Sequence, residues 1–206
     1  LIGEVRHRQR ERLILDAAHA RLIEVGFASM NLDGLARDLG MSKATLYKHF
    51  PSKDALAAAV LADQMQATAA MLQTRTSDPP LSVLLAMLRD GLRRRMAGGP
   101  TAMGLRYDAL ADAPRVVEAR EAMMAGTRRL LLAAQADGTV RADVPVGFLV
   151  AWVHALFGPS VEVALALAGA TPERVIEHAL AVFCSGVCAP RPAPGVGPDD
   201  RGPARG

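Results

Sequence analysis

Residues 31–50 constrain the fold of this chain more than any other stretch. Leu32, Leu35, Ala36 and Leu39 follow the spacing i, i+3, i+4, i+7, a one-sided helix of barely two turns behind the N-cap residue Asn31. Gly40 ends it, and Ser42 can cap a second short helix, Lys43–His49, with Leu46 and Phe50 facing inward. Pro51 stops that helix. To bury both stripes, Leu35, Ala36 and Leu39 must meet Leu46 and Phe50 at a steep angle. Ala36 is small enough for a close approach, and Gly40 can take the positive φ of a tight turn without a Cβ penalty. A longer helix over 6–25, with Ile14, Ala17, Ala18 and Leu22 inward and Gly26 as its stop, comes first. Together these elements predict a helix-turn-helix.

The remainder also reads as helix. Helical segments are expected over 54–73, 81–96, 101–111, 113–137, 146–168 and 172–187, separated by Pro- and Gly-containing breaks. Thr171-Pro172-Glu173 is a strong start signal for the last of them. No run of alternating β-branched residues bounded by turns is present. The expected fold class is all-α, with about nine helices. Its organisation is an N-terminal helix-turn-helix domain over 1–53, a C-terminal helical domain over 54–188, and a tail over 189–206. Five Pro and four Gly in that tail leave too little apolar area to offset its ordering entropy, so it is expected to be disordered.

Composition excludes several classes. Half of the residues are apolar but only 4% are aromatic, so the core must be aliphatic, with nine Met among its wall residues. The stretch 146–170 holds one formal charge, Glu162, and could span a bilayer by length. Gly158-Pro159 near its centre, its many Ala residues and the lack of a basic cluster instead predict a buried helix or helix pair. No membrane contact is expected. Cys184 and Cys188, one helical turn apart, are expected to pack as small apolar residues in a reducing, cytoplasmic setting. His7, His19, His49, His154 and His178 are scattered, and no phosphate-binding or dinucleotide fingerprint occurs. No catalytic residue, metal or cofactor is therefore expected, and the chain does not read as an enzyme.

The charge is unevenly placed. Residues 1–53 carry nine Lys/Arg against six Asp/Glu, whereas residues 54–188 carry twelve against thirteen. Within 43–49 the outward residues are Lys43, Ala44, Thr45, Tyr47, Lys48 and His49, basic and free of acids. Such a helix offers donors to phosphates and purine edges in a DNA major groove. On spacing alone, an ordinary helical hairpin with a polar outer face fits as well.

The motifs go further. Gly26-Phe27, the run NLDGLARDLGMSKATLYKHFPSKD over 31–54, and LILDAA over 13–18 closely resemble the DNA-binding domain of the TetR family of bacterial transcriptional regulators. The resemblance covers about 60 residues. It implies a sequence-specific regulator that binds a near-palindromic double-stranded operator as a homodimer. It further implies a repressor released by a small-molecule effector, here expected to be hydrophobic; an activator, or an architectural DNA-binding protein without an effector, is the alternative. Carried over by position, Ser42, Tyr47, His49 and Lys53 match DNA-backbone contacts, and Lys43, Ala44, Thr45 and Lys48 match base readers. Asn31 stands where the family usually has Thr, and either residue can cap the helix and touch a phosphate. Ala44 replaces a common Gly, and Gly34 replaces an acid that would complete a capping box, which predicts a slightly weaker first helix. Tyr47 lying over the helix pair, His49 capping the helix end, and Lys53 serving the start of the next helix are the structural alternatives.

For 54–188 the resemblance implies an effector-binding and dimerisation domain, with the helix over 54–73 linking pocket to reader. The dimer contact is expected on the last two long helices, through Leu149, Val153, Leu156, Ile176, Leu180, Phe183 and Val187. The first of these helices is apolar on more than one face and must be covered on more than one side. Candidate pocket residues are Met87, Met103, Tyr107, Met123, Met124, Phe148, Trp152 and His154, each of which could equally be plain core. The Arg89, Arg93, Arg94 and Arg95 cluster reads as an exposed basic helix end.

Overall fold

The computed structural model describes residues 2–75, 77–96, 107–157 and 171–189. These residues are helical throughout, apart from turns and one isolated antiparallel bridge between Val140 and Cys188. In chain order the helices are α1 (Ile2–Ser29), α2 (Leu32–Asp38), α3 (Lys43–His49), α4 (Lys53–Thr74) and α5 (Pro80–Met96). They continue with α6 (Tyr107–Leu110), α7 (Pro114–Ala136), α8 (Val146–Ala155) and α9 (Pro172–Val187). The expected beginning of the 101–111 helix, the second half of the 146–168 helix and the tail from 190 onward lie outside the described residues.

Local chemistry sets the N-terminal boundaries. Gly26 interrupts α1 with φ 73°, where a Cβ would be strained, so the expected stop shows as a kink before a last turn. Asn31 accepts a hydrogen bond from the Asp33 N–H at 2.9 Å and caps α2. At the other end Gly40 takes φ 63°. Its N–H donates to the Arg37 carbonyl and that of Met41 to Ala36, each at 3.0 Å, which closes the helix and aims the chain into α3. Ser42 then accepts from the Thr45 N–H at 3.2 Å, and Ser52 accepts from Ala55 at 3.0 Å to begin α4. Each stop and start therefore has its own donor or acceptor.

Two apolar cores lie along α4. The first joins Ile14, Leu22, Leu35, Leu46 and Phe50 to Leu56, Val60, Leu61 and Met65 of α4 and to Val116 of α7. The second joins Leu72 of α4 to Leu84, Leu88 and Leu92 of α5, Leu131 of α7, Val153 of α8 and Phe183 of α9. The boundary expected at residue 53 thus falls at the first residue of α4, whose first half completes the N-terminal core. α4 is also the described helix long and apolar enough by composition to cross a membrane, and most of its apolar window is buried inside the fold.

The long helices α4 and α7 touch closely. A Cβ on Gly126 would lie 2.9 Å from Leu72 Cδ1, so only glycine admits this contact unshifted. Arg129 of α7 donates to the Leu72 carbonyl at 2.6 Å, and buried Thr127 satisfies its hydroxyl on the Met123 carbonyl at 3.0 Å. The end of α9 is tied back to the segment after α7 through Arg141 N–H to Val187 and Ala189 N–H to Thr139, at 3.0 and 3.1 Å. Both cysteines are free and half-buried, and burial pushes the Cys184 thiol up to about 11, the range of an unreactive thiol.

Candidate nucleic-acid interface

The packing of α2 on α3 puts Leu46 and Phe50 inside, 0% and 2% exposed. Every other residue of α3 then lies at or near the surface. Ser42, Lys43, Ala44, Tyr47 and Lys48 are exposed, and Thr45 and His49 are half-buried. The outer face of α3 holds two ammonium groups, a hydroxyl, a phenol and an imidazole, with no carboxylate of its own.

The neighbours modify several of these groups. Lys43 is ion-paired with Asp33 of α2, an exposed pair weak enough to exchange for a nucleic-acid acceptor. The Ser42 and Thr45 hydroxyls are hydrogen-bonded at 2.8 Å, which orients the first turn of α3. Tyr47 is 43% exposed, and so lies open to solvent on the outer face of α3. Lys53, matched by resemblance to a backbone contact, is turned toward the protein. It donates to the Ala28 carbonyl at 2.9 Å, and its ammonium sits 4.5 Å from the Phe27 ring centre. This staple holds the start of α4 against the last turn of α1.

His49 makes the contact that sequence reasoning missed. Its ring stacks on that of His7 from α1, centroids 4.3 Å apart and planes 22° apart. The buried Nδ1 of His49 has no hydrogen-bond partner among the described residues. Burial, then the nearby His7, Arg10 and Lys48, hold the His49 pKa below its ordinary value, against the pull of Glu11. Around the pair lies an open cleft of about 380 Å³ lined by Arg6, His7, Arg10, Thr45, Lys48 and His49. The crowding of arginines at the chain start was visible in sequence, but not that it would meet α3.

Partly exposed ion pairs link α1 to its neighbours. Arg12 meets Asp63 of α4 at 2.7 Å, Arg21 meets Asp38 of α2 at 3.4 Å, and Glu11 pairs with Arg115 of α7. The orientation of α1 relative to α3 rests on the core that Ile14 and Leu22 share with Leu46.

In the C-terminal half the structure redistributes the candidates. Leu149, Val153, Ile176, Leu180, Phe183 and Val187, expected in a dimer contact, are buried within the chain itself, and Leu156 is half-buried against the same core. Side chains without exposed area have none to lose to a partner. Conversely, Phe148 and Trp152, expected in a pocket, are 60% and 45% exposed, with their rings stacked 6.2 Å apart. On α8, Phe148 and Trp152 thus lie on the outer face and Leu149 and Val153 on the inner one. Met87 is buried in the C-terminal core. Met123 packs on the N-terminal core and Met124 on the C-terminal one, so the adjacent pair faces two ways. His154 lowers its pKa by burial and keeps a buried Nε2 without a partner among the described residues. Met103 and the Tyr107 side chain lie outside the described residues. Among the described residues no cluster of His, Cys, Asp or Glu could hold a metal ion.

Comparison with known proteins adds the following. Residues 14–60 match the family of bacterial regulatory proteins called the tetR family. The solved structure of a TetR transcription regulatory protein from Mycobacterium vanbaalenii is 28% identical, with TM-score 0.60, over 92% of this chain and 100% of that one. A putative transcriptional regulator from Saccharomonospora viridis, solved in complex with choline, shares the fold at 17% identity and TM-score 0.70, over 89% and 100%. The ketosteroid transcriptional regulator KstR2 of Mycobacterium tuberculosis shares it at 18% identity and TM-score 0.55, over 88% and 96%. No curated protein matches the sequence.

Proposed function

We infer from residues 14–60, which make the chain a bacterial regulatory protein of the tetR family, that it binds an operator as a homodimer and releases it on binding a small effector. The observation that carries this reading is the outer face of α3, basic, free of acids and presented by the Gly40 turn. In this reading Lys43, Ala44, Thr45 and Lys48 face base edges, while Asn31, Ser42, Tyr47 and His49 reach the flanking phosphates. Lys53 serves mainly as the staple described above, with its remaining donor directions open to a phosphate.

Two recognition helices fit successive major grooves when they stand about 34–36 Å apart, so the operator is near-palindromic. The exposed stacked pair Phe148 and Trp152 on α8 supports a covered apolar face, and we assign the dimer contact to it and not to the buried stripe beneath. The orphaned Nε2 of His154 supports a ligand in the C-terminal half. The choline-bound neighbour supports a small molecule as the occupant. An effector that prefers a splayed dimer would shift α4, which joins the two cores. A coupling of about 1–3 kcal/mol weakens DNA binding roughly 5- to 150-fold.

The test is selection of genomic fragments by the purified protein at about 0.15 M salt with excess competitor DNA. One or a few near-palindromic sites are expected. Diffuse recovery that collapses as salt rises would replace this reading with an architectural protein that grips phosphates.

A further inference from the structure

The cleft between the start of α1 and α3 is lined by three permanent cations, Arg6, Arg10 and Lys48, with two imidazoles and the Thr45 hydroxyl. No carboxylate lines it. Arg6 and Arg10 stand one helical turn apart, both exposed. Glu11 of α1 lies 4.0 Å from His7 and is itself held by Arg115 of α7. From α3, Lys48 and His49 complete the charged and titratable groups of the site. His49 Nδ1 beside it is a buried polar atom without a partner among the described residues.

We propose that this cleft seats a DNA backbone phosphate flanking the groove that α3 enters, so that Arg6, His7 and Arg10 of α1 extend the DNA interface. The proposal rests on the reading of α3 given above. Two lining residues, Thr45 and Lys48, also belong to the outer face of α3, so a duplex seated on that face carries its backbone over the cleft. A contact of this kind adds affinity and fixes register without reading sequence. The stack of His7 on His49 holds the two helices together at the point where the phosphate is gripped.

The test measures the salt dependence of binding to a random-sequence duplex and to a selected fragment. The full chain is compared with the exposed-residue variants Arg6→Ala/Arg10→Ala and Arg6→Lys/Arg10→Lys. Loss of two phosphate-neutralising charges is expected to reduce the magnitude of the log–log salt slope by about 1.8 per subunit, equally for both duplexes. The lysine pair is expected to keep the slope. A wild-type slope in the alanine pair, with Lys48→Ala still weakening binding, would overturn the cleft and leave the reading of α3 standing. No duplex binding by the wild-type chain would overturn both.

Discussion

The two halves of the molecule treat their polar and apolar groups differently. In the N-terminal half α2, α3 and α4 each begin with a side-chain cap, from Asn31, Ser42 and Ser52, and α1 is tied by ion pairs to α2, α4 and α7. In the C-terminal half α7 and α8 start without a side-chain cap, behind Ala113 and Pro145, whereas α9 has one from Thr171. The same half exposes the stacked rings of Phe148 and Trp152, while each half buries one histidine nitrogen without a partner among the described residues, His49 Nδ1 and His154 Nε2. In the function proposed above the first half meets a rigid duplex, and its local caps suit a single geometry there. The exposed rings of the second half are what a proposed second copy would cover.

The contrast can be broken or sharpened by experiment. The largest effect is expected from Leu46→Ala, which empties a fully buried site where α3 meets α2. A loss of about 2–5 kcal/mol in urea unfolding is expected. A loss below ~1 kcal/mol would mean that the N-terminal core is looser than its packing indicates. Next comes Trp152→Asp on the exposed face of α8. Its thermal stability as a monomer should hardly change, while sedimentation should show self-association weakened by about 30-fold or more, the effect of losing an aromatic anchor worth ~2 kcal/mol. Unchanged association would remove the α8 face from the dimer contact.

A smaller gain is expected from Gly34→Ala in α2. A Cβ there would meet only the Asn31 Cβ, at 4.0 Å, and the backbone is helical, so the change should stabilise by about 0.5–1 kcal/mol. Destabilisation would show that the helix start is strained in a way its cap does not reveal. The least effect concerns pH. Burial and neighbouring cations hold His49 below its ordinary 6.5, so the unfolded chain takes up protons more readily than the folded one. The stability this contributes is present above that ordinary value and lost as pH falls through the folded one. Unfolding midpoints should therefore decline more steeply between about pH 7 and 5 in wild type than in His49→Gln. Parallel declines would contradict the assigned cause.

Much of the N-terminal half was legible because its signals are local. Gly26, Asn31, Gly40 and Ser42 act through backbone geometry and hydrogen bonds within a few residues, and each marks the boundary it was expected to mark. Contacts between distant segments were not legible. Nothing near His49 announces His7, and nothing near Lys53 announces the Ala28 carbonyl, because both meetings depend on how α1 lies across the unit. The two faces of α8 could not be told apart for another reason. A helix apolar on two sides gives no sign of which side its own chain covers, and Leu149 with Val153 proved to be the inner stripe.

The central claim is that the outer face of α3 reads DNA. Its most direct test is the affinity of Tyr47→Phe and Lys48→Ala for a fragment recovered by selection, measured beside the sedimentation of each variant. Both side chains are exposed and outside the core, so folding and self-association should be unchanged. Binding is expected to weaken about tenfold for Lys48→Ala and less for Tyr47→Phe, as for lost contacts of about 1–3 kcal/mol or below. Wild-type affinity in both variants would contradict the claim.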